Sequence, residues 1–316
     1  MKYKITMLLI IIASGILLLC QYNKITKSKY VIAIIQSAAH PALDSARDAF
    51  IETLNAEFQN EKIEFLLYNT QGSLSTAHAL ASQLIQNKQI NLFYTIGSSV
   101  TQALSQLEKT KPIFFAAVSD PDAIGIKNGQ NITGISDMLS PEIPFYLINT
   151  IYPKAQKIGL LFSLSALNQT ECIKIRQALE KNGKTVIDII INNEGEIDAL
   201  LESNINNIDA ILSPCDNIIA TAMPLIVKKT IIHQKPFFVC FNEATIAGAL
   251  ASCGTNYYES GKKIAMYATQ VIKKEIIISD INITMSHNNT IYVNKKTAHT
   301  INIDMSLIKN NNIIII

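Results

Sequence analysis

From residue 30 onward, short runs of consecutive apolar residues alternate with longer stretches in which apolar residues return every three or four positions. The first pattern is that of a strand buried on both faces and the second that of a helix with one buried stripe. Residues 31–35 read as a strand. Residues 41–58 follow as a helix opened by Pro41, with Leu43, Ala46, Phe50, Leu54 and Phe58 on one face. The series continues with a strand at 63–68, a helix at 75–86, a strand at 92–96, a helix at 99–107, and strands at 113–118 and 132–135. It then restarts, with strand 157–162, helix 170–181, strand 185–190, short helix 197–201 and strand 208–212. A helix at 218–232, interrupted at Pro224, leads to strands at 236–241 and 249–252, a long amphipathic helix at 257–274 and a late strand at 289–293.

Strands alternating with helices predict an α/β protein with parallel sheets, and the restart predicts two Rossmann-like lobes of the same architecture. A three-segment hinge is expected, with crossings near residues 134–137, 242–246 and 280–284. These divide the chain into an N-terminal lobe (30–135 plus 247–281), a C-terminal lobe (136–246 plus 282–309) and a loose tail (310–316).

The first 29 residues carry a different pattern. Lys2 and Lys4 precede an apolar run at 5–20, and a polar, basic segment follows to residue 29. This is the layout of an export signal. The run is shorter than the roughly 20 residues that cross a bilayer unstrained. Cys20, at its end, stands where a bacterial lipoprotein is cleaved and acylated, although Leu19 occupies a place where a small residue is usual. Lipidation at Cys20, an uncleaved anchor and plain secretion all remain open. The other cysteines, Cys172, Cys215, Cys240 and Cys253, have no metal-ligand spacing and read as buried thiols.

Composition removes whole classes of function. A net charge of +2 with scattered basic residues lacks the electrostatic footprint of a nucleic-acid binder. No Gly-x-Ser-x-Gly elbow, phosphate-cradling glycine loop or metal-spaced His/Cys set is present, so neither catalysis nor a cofactor is expected.

Ligands of open parallel sheets gather at the carboxyl ends of strands, where helix N-termini point N–H groups into the crevice. The segments that follow the strands are short, polar and mostly uncharged. They supply Gln36 and His40, then Gln71, then Ser98 and Ser99, then Ser119 and Asp137, and in the second half Asp216 and Asn217. Ser98 and Ser99 open a helix and suit a carboxylate, or act simply as its N-cap. Asp137 and Asp216 suit an ammonium group across a cleft, or serve as caps and turn residues. His40 can cover a ligand or pack locally, and Tyr257 can form an aromatic wall or core.

A set of segments carries a family resemblance: Ile35-Gln36 with His40-Pro41-Ala42-Leu43-Asp44, Asn69-Thr70-Gln71-Gly72, Phe115 through Pro121, and Asn131 through Asp137. Further on come Pro214-Cys215-Asp216-Asn217, Gly254 through Gly261, and Val293 through Lys296. In that order the chain resembles the ABC transporter substrate-binding proteins of the tryptophan and tyrosine type. The resemblance implies a type I periplasmic-binding-protein fold that holds a small solute, an amino acid, between its lobes. It implies Ser98 and Ser99 as carboxylate donors, Asp137 and Asp216 as ammonium partners, and Gln36, His40 and Tyr257 around the side chain. Cys215 departs from a usual threonine and Asn256 from a usual aspartate. An ABC permease with its ATPase, a membrane reached through the N-terminal anchor, an extracytoplasmic location and a monomeric state are the corresponding expectations. A ligand-sensing receptor or regulator is the alternative, because one fold hosts many functions.

Overall fold

A computed structural model describes residues 30–59, 63–164, 166–286, 290–305 and 312–316. Cys20 and the export-signal segment lie outside the described residues. Among the described residues, no helix is long and apolar enough to cross a membrane.

The first half builds β1 (Tyr30–Gln36), α1 (Pro41–Glu57), β2 (Ile63–Asn69), α2 (Leu74–Ile85), β3 (Leu92–Ile96), α3 (Ser98–Leu107), β4 (Ile113–Val118) and β5 (Ile132–Ser136). The second builds α4 (Glu142–Ile151), β6 (Lys157–Ser163), α5 (Ala166–Lys181), β7 (Thr185–Ile191), α6 (Ile197–Asn204), β8 (Ala210–Ser213), α7 (Asn217–Thr221), α8 (Met223–Ile232) and β9 (Phe237–Phe241). The chain continues with α9 (Glu243–Ile246), β10 (Ala251–Thr255), α10 (Tyr257–Ile272), β11 (Thr284–Met285), β12 (Ile291–Val293), α11 (Lys295–Thr300) and β13 (Ile313–Ile315). One sheet runs β11-β5-β4-β3-β1-β2 and the other β13-β12-β10-β9-β8-β6-β7. All pairings in the first sheet are parallel. In the second, only β10 with β12 is antiparallel.

Burial explains why the strands read as unbroken apolar runs. Ile32 and Ile34 of β1 enter the core shared with Leu43 and Phe50 of α1, whereas Val31, Ala33 and Ile35 enter the one shared with Ala77 and Ala81 of α2. Both faces of β1 are therefore covered. Helix α10 lies against α1, where Gly261 permits contact: a Cβ there would stand 2.3 Å from the Ala46 carbonyl oxygen.

The chain passes between the sheets after β5, between β10 and α10, and between β11 and β12. The crossing expected at 242–246 falls instead at Asn256. Ala251 pairs with Phe238 of β9 in parallel, so the strand expected on the first lobe with residues 247–281 belongs to the second sheet. Similarly, Thr284 pairs with Ile135 of β5, which puts β11 in the first sheet rather than the second. Nor is the end of the chain a loose tail. Ile313–Ile315 pair with Ile291–Val293, because the outer edge of β12 offers backbone groups that need partners.

Two further differences have local causes. Helix α4 escaped the sequence reading because Pro144 breaks the pattern, yet Pro144 sits in the first turn, where its missing N–H costs nothing. Its buried Pro144, Leu147, Ile148 and Ile151 carry the helical spacing. The break expected at Pro224 falls at Ala222, and Pro224 occupies the first turn of α8.

Candidate functional site

The carboxyl ends of the two sheets face each other across a cleft of about 280 Å³. His40, Ser98, Ser99, Ser119, Asp137, Asp216, Asn217 and Tyr257 all line it. Gln36 and Gln71 do not. The Gln36 amide is held by Asp44 at 2.9 Å and by Arg47 at 3.3 Å, in a network that fixes the start of α1. Gln71 is exposed, in a left-handed turn that places Gly72 at the cleft instead. Ser37, Ser163 and Phe241 also line the cleft without having been singled out, as does Cys215, noted in the sequence only as a departure from a usual threonine. For Ser37 and Ser163 the signal was available, since each stands at the carboxyl end of a strand.

The α3 end of the cleft is suited to an anion. Gly97 precedes the helix at φ 112°, a conformation that L side chains rarely adopt, and its N–H bonds the Ala116 carbonyl at 3.0 Å. No side chain caps the helix, so neither Ser98 nor Ser99 acts as an N-cap. Uncapped N–H groups with the positive end of the helix dipole favour a carboxylate. Among the described residues lining the cleft there is no Lys or Arg, so these groups are its source of positive potential.

The opposite requirement is met at Asp137. Its Oδ2 accepts a 2.6 Å hydrogen bond from the Tyr257 hydroxyl, while its Oδ1 is buried with no hydrogen-bond partner. Burial pushes its pKa up, against the Tyr257 bond and the smaller influences of the Ser119 hydroxyl and its own N–H, which lower it. A cationic donor placed here would stabilise the ionised form.

Asp216 has another task. Its Oδ2 accepts from the Ser163 N–H at 2.7 Å and hydroxyl at 2.6 Å. Its Oδ1 accepts from the N–H groups of Ile218 and Ile219, capping α7. Both oxygens are engaged in holding the second half's loop, as the capping alternative expects.

His40 and Asn217 meet across the cleft. His40 Nε2 lies 3.1 Å from Asn217 Oδ1, and Asn217 Nδ2 donates to Ser37 Oγ at 3.4 Å. An amide oxygen only accepts, so Nε2 carries the proton, and burial lowers the His40 pKa and keeps the ring neutral. Cys215 is inert: its thiol donates to the Cys240 carbonyl at 3.3 Å and burial drives its pKa well up. Asn256 caps α10 by accepting from Glu259 N–H at 3.1 Å. Ala117 lines the cleft at φ 55°, where the β4–β5 register shifts, a strained conformation for a residue with a Cβ.

The family model for ABC transporter substrate binding proteins matches residues 31–311. The chain belongs to that family. Its members bind solutes and do not transform them, and the fold is that of the type I periplasmic binding proteins. A tyrosine-binding protein of Clostridioides difficile is 31% identical over 303 residues, covering 92% of this chain and 86% of that one. A Streptococcus pneumonia ABC domain in complex with L-Trp is 26% identical and superposes with a TM-score of 0.82, covering 92% of this chain and 100% of that one. A ligand-free, open substrate binding protein with adhesive properties from Clostridium difficile is 28% identical, with a TM-score of 0.69 over 91% of this chain and 99% of that one. At comparable identity and coverage, the fit is better to the tryptophan complex than to the open form.

Proposed function

We propose that this substrate-binding protein captures an amino acid with an aromatic side chain outside the cytoplasm and hands it to an ABC permease. The observation that carries the reading is the pairing of two unmet needs in one cleft: the uncapped N-terminus of α3 and the unpartnered Oδ1 of Asp137. A zwitterion satisfies both at once, its carboxylate at Ser98 and Ser99 and its ammonium at Asp137. Phe241 and Tyr257, with Ala42 and Ala220, supply the apolar wall for the remainder. Asp216 and Asn217 act through the second half, the first by holding its loop and the second by reaching His40.

Hinge closure is the proposed mechanism. The ligand contacts both halves and selects the arrangement in which His40 meets Asn217. The better superposition on the tryptophan-bound relative supports this reading, as do the tryptophan and tyrosine of the relatives' descriptions. Anchoring through the N-terminal segment, with Cys20 as the acylated residue, belongs to the same proposal on the strength of its apolar pattern. A thermal-shift screen of amino acids, nucleosides and sugars tests the ligand class. An aromatic amino acid is expected to raise the Tm by mass action, and a response confined to sugars or nucleosides would overturn the assignment.

A further inference from the structure

Three carboxyl groups interact where the crossing after β5 meets the second half, and they are not equally provided for. Asp216 engages both oxygens with Ser163 and α7. Asp137, only 4% exposed, keeps Oδ1 unpartnered beside the cleft. The third is Glu171, in the second turn of α5, whose Oε1 is also buried with no hydrogen-bond partner. Glu171 does not line the cleft. It borders a separate space of about 80 Å³ with Ser119, Asp120, Met138, Leu139 and Lys174, next to the crossing that carries Asp137. Burial first, then the charges of Asp137 and Asp216, raise its pKa to about 8, and Lys174, exposed on the next turn, opposes them only weakly. The thiols of Cys172, Cys215 and Cys240, which also interact with it, are held neutral by burial, and Arg176 further along α5 is paired with Asp188. Neighbouring buried carboxyl groups without a cation between them do not all ionise, so Glu171 holds a proton while the cleft is empty.

We propose that Glu171 gives this proton up to solvent when a ligand's ammonium group settles against Asp137, so that capture is coupled to proton release and weakens in acid. The proposal rests on the amino-acid reading of the cleft and adds a linkage to it. The ammonium brings a positive charge to the carboxylate whose negative charge opposes ionisation of Glu171. With that charge compensated, the ionised form of Glu171 is favoured and the proton leaves. Binding that releases a proton strengthens as pH rises, until the free protein no longer holds that proton, at about pH 8. Glu171 therefore acts on the ligand through Asp137, as a positioning residue and not by contact.

The test is titration calorimetry of the full chain with L-tyrosine and L-tryptophan at pH 7 in phosphate and in Tris, two buffers whose ionisation enthalpies differ widely. The titrations are then repeated from pH 6 to pH 7.5, where both ligands stay zwitterionic. The buffer dependence of the heat counts protons. Wild type is expected to release about 0.7–0.9 proton per ligand at pH 7 and to gain about five- to twentyfold in affinity from pH 6 to pH 7.5. Glu171→Gln, fixed in the neutral form, is expected to bind with a count near zero and an affinity that no longer follows pH. A merely structural role changes the affinity of that variant but leaves the count and the pH slope as in wild type. Glu243 is another carboxyl group whose pKa burial raises, to about 7, and a count that survives in Glu171→Gln would assign the proton there or elsewhere and overturn the proposal. Equal heats in both buffers for wild type would overturn it as well, while leaving the amino-acid reading intact. Binding of neither ligand by wild type would overturn both.

Discussion

Tyr257, the first residue of α10, donates its hydroxyl to Asp137 at 2.6 Å, tying the second crossing between the sheets to the first. Both residues are buried, at 3% and 4% exposure, so water cannot replace the bond without rearrangement. Tyr257→Phe deprives Asp137 of that donor. It is expected to cost about 1–3 kcal/mol of stability, as for other buried groups left unsatisfied, read as a lower denaturation midpoint at unchanged slope.

Gly97 gives the α3 end of the cleft its shape. A Cβ at this position would stand 2.2 Å from Ser37 Oγ, on a backbone at φ 112° that disfavours any side chain. Gly97→Ala is expected to destabilise the fold by about 1–3 kcal/mol or more and to weaken ligand binding, because the N–H groups of the first turn move. A melting curve with and without ligand reads both effects.

Glu171 sets a pH dependence. Burial, reinforced by the nearby charges of Asp137 and Asp216, raises its pKa from 4.5 to about 8. Between those values the folded protein holds a proton that the unfolded chain releases, so stability falls as pH rises through the window. Glu243, raised to about 7, acts in the same direction. Glu171→Gln is expected to flatten the decline in Tm between pH 5 and about 8 relative to wild type. A parallel slope in the variant would show that Glu171 does not titrate there.

The α/β class, the two halves and most elements were legible because strands covered on both faces and helices covered on one leave distinct periods in the sequence. Sheet membership was not. β10 looks alike whether it adds to one sheet or the other, and only its pairing, Ala251 with Phe238 of β9, assigns it to the second. Strand-end positions predicted His40, Ser98, Ser99, Ser119, Asp137 and Asn217 at the cleft, where they stand, and Tyr257, read at a helix start as wall or core, stands there too. The same rule cannot tell an engaged carboxylate from an unmet one. Asp216 and Asp137 read alike in sequence, and only the bonds from Ser163, Ile218 and Ile219 separate them.

The most direct test of the cleft's role is the affinity of wild type and Asp137→Asn for L-tyrosine and L-tryptophan, measured by titration calorimetry. One-to-one binding of at least one of them is expected, weakened by about 3 kcal/mol, or roughly 100-fold, when the charge opposite the ammonium is removed. Undiminished binding by Asp137→Asn would contradict the placement of the ammonium at that carboxylate.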